Sequence, residues 1–124
     1  MLFIKLIKDC VRETLLYIEE NQQYDEILEI SNMKSDKFSH DDICYTCEKL
    51  AEAGYIDIFK DLLGNISIKN ITYAGHQFLD NIRDDKVWTK TKSILSKFES
   101  VSIEIISQTA SKVILELIKP IQVS

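Results

Sequence analysis

Between Ser39 and Thr72 the apolar pattern switches from a helical period to a strand period, and few folds accommodate that switch in so short a stretch. Ser39, followed three residues on by Asp42, forms a capping box in which Asp replaces the usual Glu. It predicts a helix over His40–Ala53 with Ile43, Cys47 and Leu50 on the apolar stripe and Cys44 and Ala51 alongside. Gly54 directly after it supplies the left-handed residue that stops such a helix. Tyr55 to Phe59 then alternates as a strand, Lys60 to Asn65 holds the turn chemistry of Gly64 and Asn65, and Ile66, Ile68 and Ile71 return. Thr72 caps a following helix that carries Phe78, Leu79 and Ile82. Helix, cap, strand, turn, strand, helix is the order of a winged helix-turn-helix core. The expected fold class is therefore mainly α with a small β-wing (α+β), with additional C-terminal helices.

The flanks extend that frame. From Leu2 to about Asn21, Phe3, Ile7, Cys10, Val11, Leu15 and Ile18 recur at helical spacing, with charged residues on the other face. Tyr24 to Ser31 carries Ile27, Leu28 and Ile30 as a short edge strand or extended linker, and Asn32 to Phe38 is polar and turn-rich. After a break near Asp84-Asp85, a further helix carries Val87, Trp88, Thr91, Ile94, Leu95 and Phe98. Ser100 or Ser102 caps a last helix from Ile103 to about Lys119, with Pro120 marking its end. A chain of 124 residues, 45% apolar, is sized for one domain over 1–124, with the winged core at 1–71 and the C-terminal helices at 72–119.

The last helix is too apolar for its position. Ile103, Ile106, Ala110, Val113 and Leu117 make one stripe, while Ile105, Leu115 and Ile118 lie off it. A terminal helix in so small a protein cannot easily bury two faces within its own chain. The expectation is a homodimer whose interface draws on Ile103, Ile105, Ile106, Val113, Leu115, Leu117 and Ile118.

Charge bears on the choice of partner. Twenty acidic against fifteen basic side chains give a net charge of −5, which repels nucleic acid unless the cations are gathered on one face. The apolar start at Met1–Ile4 is interrupted by Lys5, Lys8, Asp9, Arg12 and Glu13 before it reaches the length of a signal core or membrane span, so a soluble, cytoplasmic protein with no membrane partner is expected. Three scattered cysteines do not resemble a disulfide scaffold, and three glycines with one proline leave little material for a glycine-rich phosphate cradle.

Two blocks of residues resemble the phage- and prophage-associated domain of unknown function numbered 2513. One is Ile-x-Tyr followed by Ala-Gly-x-Ile, at Ile43, Tyr45, Ala53, Gly54 and Ile56. The other is more specific and comprises Thr72, Gly75, His76, Phe78, Leu79, Asp80, Ile82, Arg83 and Trp88. The resemblance covers nearly the whole chain and implies a winged-helix-like fold in a small protein of bacterial or phage genomes, with no established activity. Thr46 stands where the family pattern has a histidine and Lys49 where it has an apolar residue. A role that depends on that histidine is not implied for this chain.

Candidate chemistry is sparse. His40, Cys44 and Cys47 fall at i, i+4 and i+7 and could present an imidazole and two thiolates to zinc, with Cys10, His76 or water as a fourth ligand. The simpler reading places both cysteines in the core stripe, since free Cys behaves as a small apolar residue, and no metal or cofactor is expected. Cys44 and Cys47 also have redox spacing, but Cys44 sits about a turn inside the helix, away from the terminus that lowers a thiol pKa. His76 with Asp80 suggests a structural histidine that, with Thr72, Gly75 and Trp88, locks the wing against the helix. No catalytic residue is assigned, and no enzyme is expected.

DNA binding, the obvious role of a winged helix, is disfavoured by Asp41, Asp42, Glu48 and Glu52 around a single Lys49 on the would-be recognition helix. The basic stripe lies elsewhere, at Arg83, Lys86, Lys90 and Lys97, and could face nucleic acid or a protein partner. The resulting expectation is a non-enzymatic module acting through protein–protein contacts as a homodimer, with a DNA-binding transcriptional regulator as the alternative.

Overall fold

Five helices and a three-stranded antiparallel sheet make up residues 5–119, the part of the chain that the computed structural model describes. In chain order they are α1 (Lys8–Asn21), β1 (Leu28–Glu29), a 3-10 turn (Ile30–Asn32), α2 (His40–Glu52), β2 (Ile56–Lys60), β3 (Ile66–Ile71), α3 (Tyr73–Ile82), α4 (Asp85–Leu95) and α5 (Ile103–Leu117). The protein is mainly helical, α+β, as the periodicity predicts.

The first helix is shorter than its apolar repeat suggests. It begins at Lys8, because Lys5 to Ile7 run outside it, with Ile7 extended at φ −105° and ψ 119° and no side chain capping the first turn. Leu6 and Ile7 still pack on the core, so their apolar character serves burial without helix. Leu2 to Ile4 lie outside the described residues.

The capping chemistry before α2 behaves as read. Ser39 Oγ accepts from Asp42 N at 3.1 Å, and the Asp42 carboxylate accepts from Ser39 N at 3.1 Å. Gly54, at φ +84°, ends the helix, and Tyr55 N donates to Leu50 O at 2.9 Å.

Strand order is β1-β3-β2, so β3 is central, and β1 is an edge strand held only through Leu28 opposite Ile68 and Glu29 opposite Ser67. A register shift between Asp57 and Ile58 marks a bulge in the β2–β3 hairpin. Asp61 closes the hairpin turn by accepting from Leu63 N at 2.8 Å and Asn65 N at 2.9 Å.

One core runs through all of these elements. Val11, Leu15 and Ile18 of α1 meet Ile43, Cys47 and Leu50 of α2, Ile56, Ile66 and Ile68 of the sheet, and Phe78, Leu79 and Ile82 of α3. Trp88 and Leu95 of α4 and Ile103, Ile106 and Ala110 of α5 continue it. Between α3 and α4 the Asp84 carboxylate caps Lys86 N and Val87 N at 2.8 and 3.1 Å.

The last helices depart from expectation at their ends. α4 stops at Leu95, and Phe98, grouped with its apolar face in the sequence, is half exposed beyond the stop. Ser96 Oγ donates to Ser93 O at 2.7 Å there, a local bond that competes with continuing the helix. Ser102, rather than Ser100, caps α5 by accepting from Ile105 N at 3.2 Å. α5 ends at Leu117, short of Lys119, and Pro120 lies outside the described residues.

Candidate functional site

At the start of α3, backbone and side chain meet with no slack. Thr72 Oγ1 donates to Gly54 O at 2.6 Å and accepts from Gly75 N at 3.1 Å, while Thr72 N donates to Tyr55 O at 3.0 Å. A Cβ on Gly75 would lie 1.9 Å from that same Tyr55 oxygen and 2.7 Å from the Ile71 side chain. Thr72 and Gly75 therefore dock α3 onto the segment that leads from α2 into the hairpin.

The other residues assigned to this join from the sequence stand elsewhere. His76 is solvent-exposed and makes no side-chain hydrogen bond among the described residues; it lines a cleft beside Glu19, Gln22 and Asn70 and does not tie the wing to the helix. Asp80 pairs with Arg83 at 2.9 Å, not with His76. Trp88 packs between α4 and α1, its Nε1 donating to Asp9 Oδ1 at 2.9 Å, with the Arg12 guanidinium and Lys92 ammonium over its ring at 5.9 and 5.8 Å.

Arg12 is a structural residue that the sequence does not reveal. Its Nε donates to Ile82 O at 2.8 Å and its Nη2 to Arg83 O at 2.7 Å, satisfying carbonyls at the end of α3, and it also pairs with Asp85 at 2.7 Å. Its partners are 70 or more positions away along the chain, so no local pattern could have pointed to it.

The basic stripe resolves into two kinds of cation. Arg83 is engaged by Glu19 and Asp80; its hydrogen bonds raise its own pKa and lower that of Glu19. Lys86 and Lys90 are exposed on α4 and make no ion pair among the described residues, and they edge a shallow depression with Asp85, Thr89 and Ser93. Lys97 lies beyond the helix, 5.6 Å from the ring of Phe98. Around α2 the cations are already paired: Lys60 reaches over from β2 to Glu48 at 2.7 Å, and Lys49 pairs with Glu52 at 2.7 Å.

The three residues weighed as a metal set do not converge. Cys47 is buried in the core, and that burial pushes its thiol pKa up. Cys10, also buried, has a pKa raised by burial and takes a hydrogen bond from Thr46 Oγ1 at 3.3 Å. Thr46 is a buried core residue whose hydroxyl also reaches Asp42 O at 2.7 Å. Cys44 alone stays near the surface, its Sγ 3.3 Å from His40 Nε2. No group of three or more His, Cys, Asp or Glu side chains is arranged to hold a metal among the described residues.

The dimer face proposed from the sequence also divides. Ile103, Ile106 and Val113 are buried within the chain, packed toward α3 and α4, and cannot form an interface. Ile105, Leu115, Leu117 and Ile118 are exposed. Leu117 moves off the buried stripe because α5 ends there and has outrun the helices it packs on. A cleft of about 460 Å³ lies at the base of the hairpin, between the end of α1 and α3, lined by Glu19, Gln22, Asp25, Asn70 and His76 among others. No helix among the described residues is long and apolar enough to cross a membrane.

The pattern of the family described as "Hypothetical protein (DUF2513)" matches residues 5–102. A protein of Haemophilus influenzae (strain ATCC 51907 / DSM 11121 / KW20 / Rd), described only as "Uncharacterized protein", is 33% identical over 85 residues, 65% of this chain and 72% of its own length. No solved structure matches. The family match takes in α1 through α4 and ends at the cap of α5, and on its extent the chain belongs to the DUF2513 family.

Proposed function

We propose that this protein is a non-enzymatic, winged-helix-like module of phage or prophage type that acts in the cytoplasm through protein–protein contacts, as a homodimer joined through the end of α5. The observation that carries the reading is the exposure of Leu115, Leu117 and Ile118, at 60, 55 and 66%. Leu115 and Ile118, three apart and so on one face, with Leu117 beside them at the same helix end, favour burial against a partner, each returning roughly 25 cal/mol per Å² removed from water. A second copy is the simplest partner, because one patch then satisfies both chains.

The test is light scattering coupled to size exclusion at high micromolar concentration. The expected result is a dimer for the native chain and a monomer for the Leu115→Glu/Ile118→Glu variant, at unchanged helix content. A native chain that elutes as a monomer throughout would sink the dimer.

The reading as a DNA-binding regulator draws support from the β1-β3-β2 order, with α2 running directly into the β2–β3 hairpin, and from the exposed Lys86 and Lys90, which make no ion pair among the described residues. Against it, α2 presents Asp41, Asp42, Glu48 and Glu52, and its nearest cations are already paired. Titration against random duplex at low and moderate salt separates the two readings. Tight binding with a steep salt dependence establishes the DNA reading; weak binding at low salt that vanishes at moderate salt leaves the protein-binding one.

A further inference from the structure

The outer face of α4 gathers cations and hydroxyls and holds no free carboxylate. Lys86, Thr89, Lys90 and Ser93 recur at three- and four-residue spacing, so they lie side by side on the exposed face, where they edge a shallow depression. Among the described residues neither lysine makes an ion pair and neither hydroxyl makes a hydrogen bond. From Lys86 to Leu95 the helix has no acidic residue. The two carboxylates at its start are already engaged: Asp84 accepts from Lys86 N and Val87 N at 2.8 and 3.1 Å, and Asp85 pairs with Arg12 at 2.7 Å. Ile94, one turn beyond Lys90, is 40% exposed and gives the same face an apolar flank.

Building on the protein-binding reading, we propose that this face of α4 seats an acidic segment of a partner protein. Lys86 and Lys90 take its carboxylates, the Thr89 and Ser93 hydroxyls donate beside them, and an apolar side chain of the segment lies on Ile94.

Charge separates this partner from nucleic acid. A duplex carries one charge per ~1.7 Å of its axis, and a chain of net charge −5 opposes it at every approach. Two lysines neutralise too few phosphates to offset that repulsion, because affinity rises with the number of counterions released. A short acidic segment brings only a few charges to one place, and the cations there meet them. Ile94 favours the same partner, since a phosphate backbone offers an apolar side chain nothing to bury against and a peptide does. This face shares no residue with the apolar end of α5, so each surface is broken without touching the other.

The experiment is fluorescence anisotropy of a labelled synthetic peptide, glutamates around one central leucine, titrated with the full chain at moderate salt. The expected result is saturable binding that disappears when glutamine replaces the glutamates. Lys86→Glu/Lys90→Glu should weaken binding about tenfold or more, as two exposed ion pairs lost together would, at unchanged helix content. Lys34→Glu/Lys69→Glu imposes the same charge change on other elements and should leave binding within about twofold, since salt screens charges at a distance. Ile94→Gln should give a smaller loss that does not vary with salt. The proposal is overturned by no saturable binding at moderate salt or by equal losses in the two charge reversals. It is also overturned by a random duplex that binds more tightly than the peptide and is released by Lys86→Glu/Lys90→Glu. Peptide binding by a native chain that proves monomeric upholds this surface while the α5 dimer falls, and a native dimer that binds no peptide removes the α4 surface alone.

Discussion

The first turn of α3 and the last turn of α5 are both helix ends, yet they are built on opposite terms. At the first, Thr72 serves Gly54 O and Gly75 N at once, and the space above Gly75 is filled by a backbone oxygen. At the second, Leu115, Leu117 and Ile118 face solvent, and the helix has run past the elements that bury its other half. A contact made by backbone atoms tolerates almost no side-chain change, whereas an uncovered apolar end constrains the fold little and remains available to a partner. The contrast suggests where stability and association reside in this chain, and each half of it can be broken separately.

The largest effect is expected from Gly75→Ala. The added methyl would sit 1.9 Å from Tyr55 O, which cannot move without dragging the start of β2 and the Thr72 N bond with it. Overpacking against backbone should cost about 3 kcal/mol or more, read as a fall in the urea midpoint. A cost below about 1 kcal/mol would mean that the join has slack, and the contrast would collapse.

Thr72→Ala comes next, with an expected loss of about 1–2 kcal/mol for the cap and the Gly54 bond together. Thr72→Ser keeps the hydroxyl and should recover most of that loss. Equal destabilisation by both substitutions would assign the effect to the lost methyl and not to the hydrogen bonds.

A smaller effect should appear with pH. Burial pushes the Asp9 carboxyl up, but hydrogen bonds from Lys92 and Trp88 outweigh it and hold the pKa below the ordinary aspartate range. A pKa depressed by folding gives stability that is present above the unfolded value, about 4, and is lost as pH falls through the folded value. Asp9→Asn should flatten the acid limb of the stability curve by less than about 1 kcal/mol, since the group is half exposed and its ion pair is screened. An unchanged acid limb would place the linkage on Glu19 and Arg83.

Much of the fold was legible because its signals are local. Ser39 with Asp42, Gly54, Thr72 and Asp84-Asp85 each mark a boundary through atoms within a few positions of themselves, and the period of Ile43, Cys47 and Leu50 gives the buried face directly. What was misread depended on distant elements. His76 and Trp88 occur in one short block, but the fold exposes the first to solvent and turns the second toward Asp9. Arg12 has its partners at the far end of α3. Cys44 and Cys47 share a helical spacing, yet only Cys47 is fully buried, since spacing alone does not distinguish a flank of a helix from its buried centre.

The smallest expected effect on stability is also the one that best tests the α5 end. Leu117→Gln removes an apolar side chain that is 55% exposed within its own chain, so the monomer should lose no more than about 0.5 kcal/mol. If a second copy buries Leu117, the same substitution should weaken association, and the native chain should show a melting temperature that rises with protein concentration while the variant does not. Measuring both quantities in one dilution series separates the two roles. A concentration-independent melting temperature in the native chain would remove the dimer. A large loss in the variant at high dilution would show that the end of α5 is held by its own chain, and the difference between the two helix ends would then be one of degree.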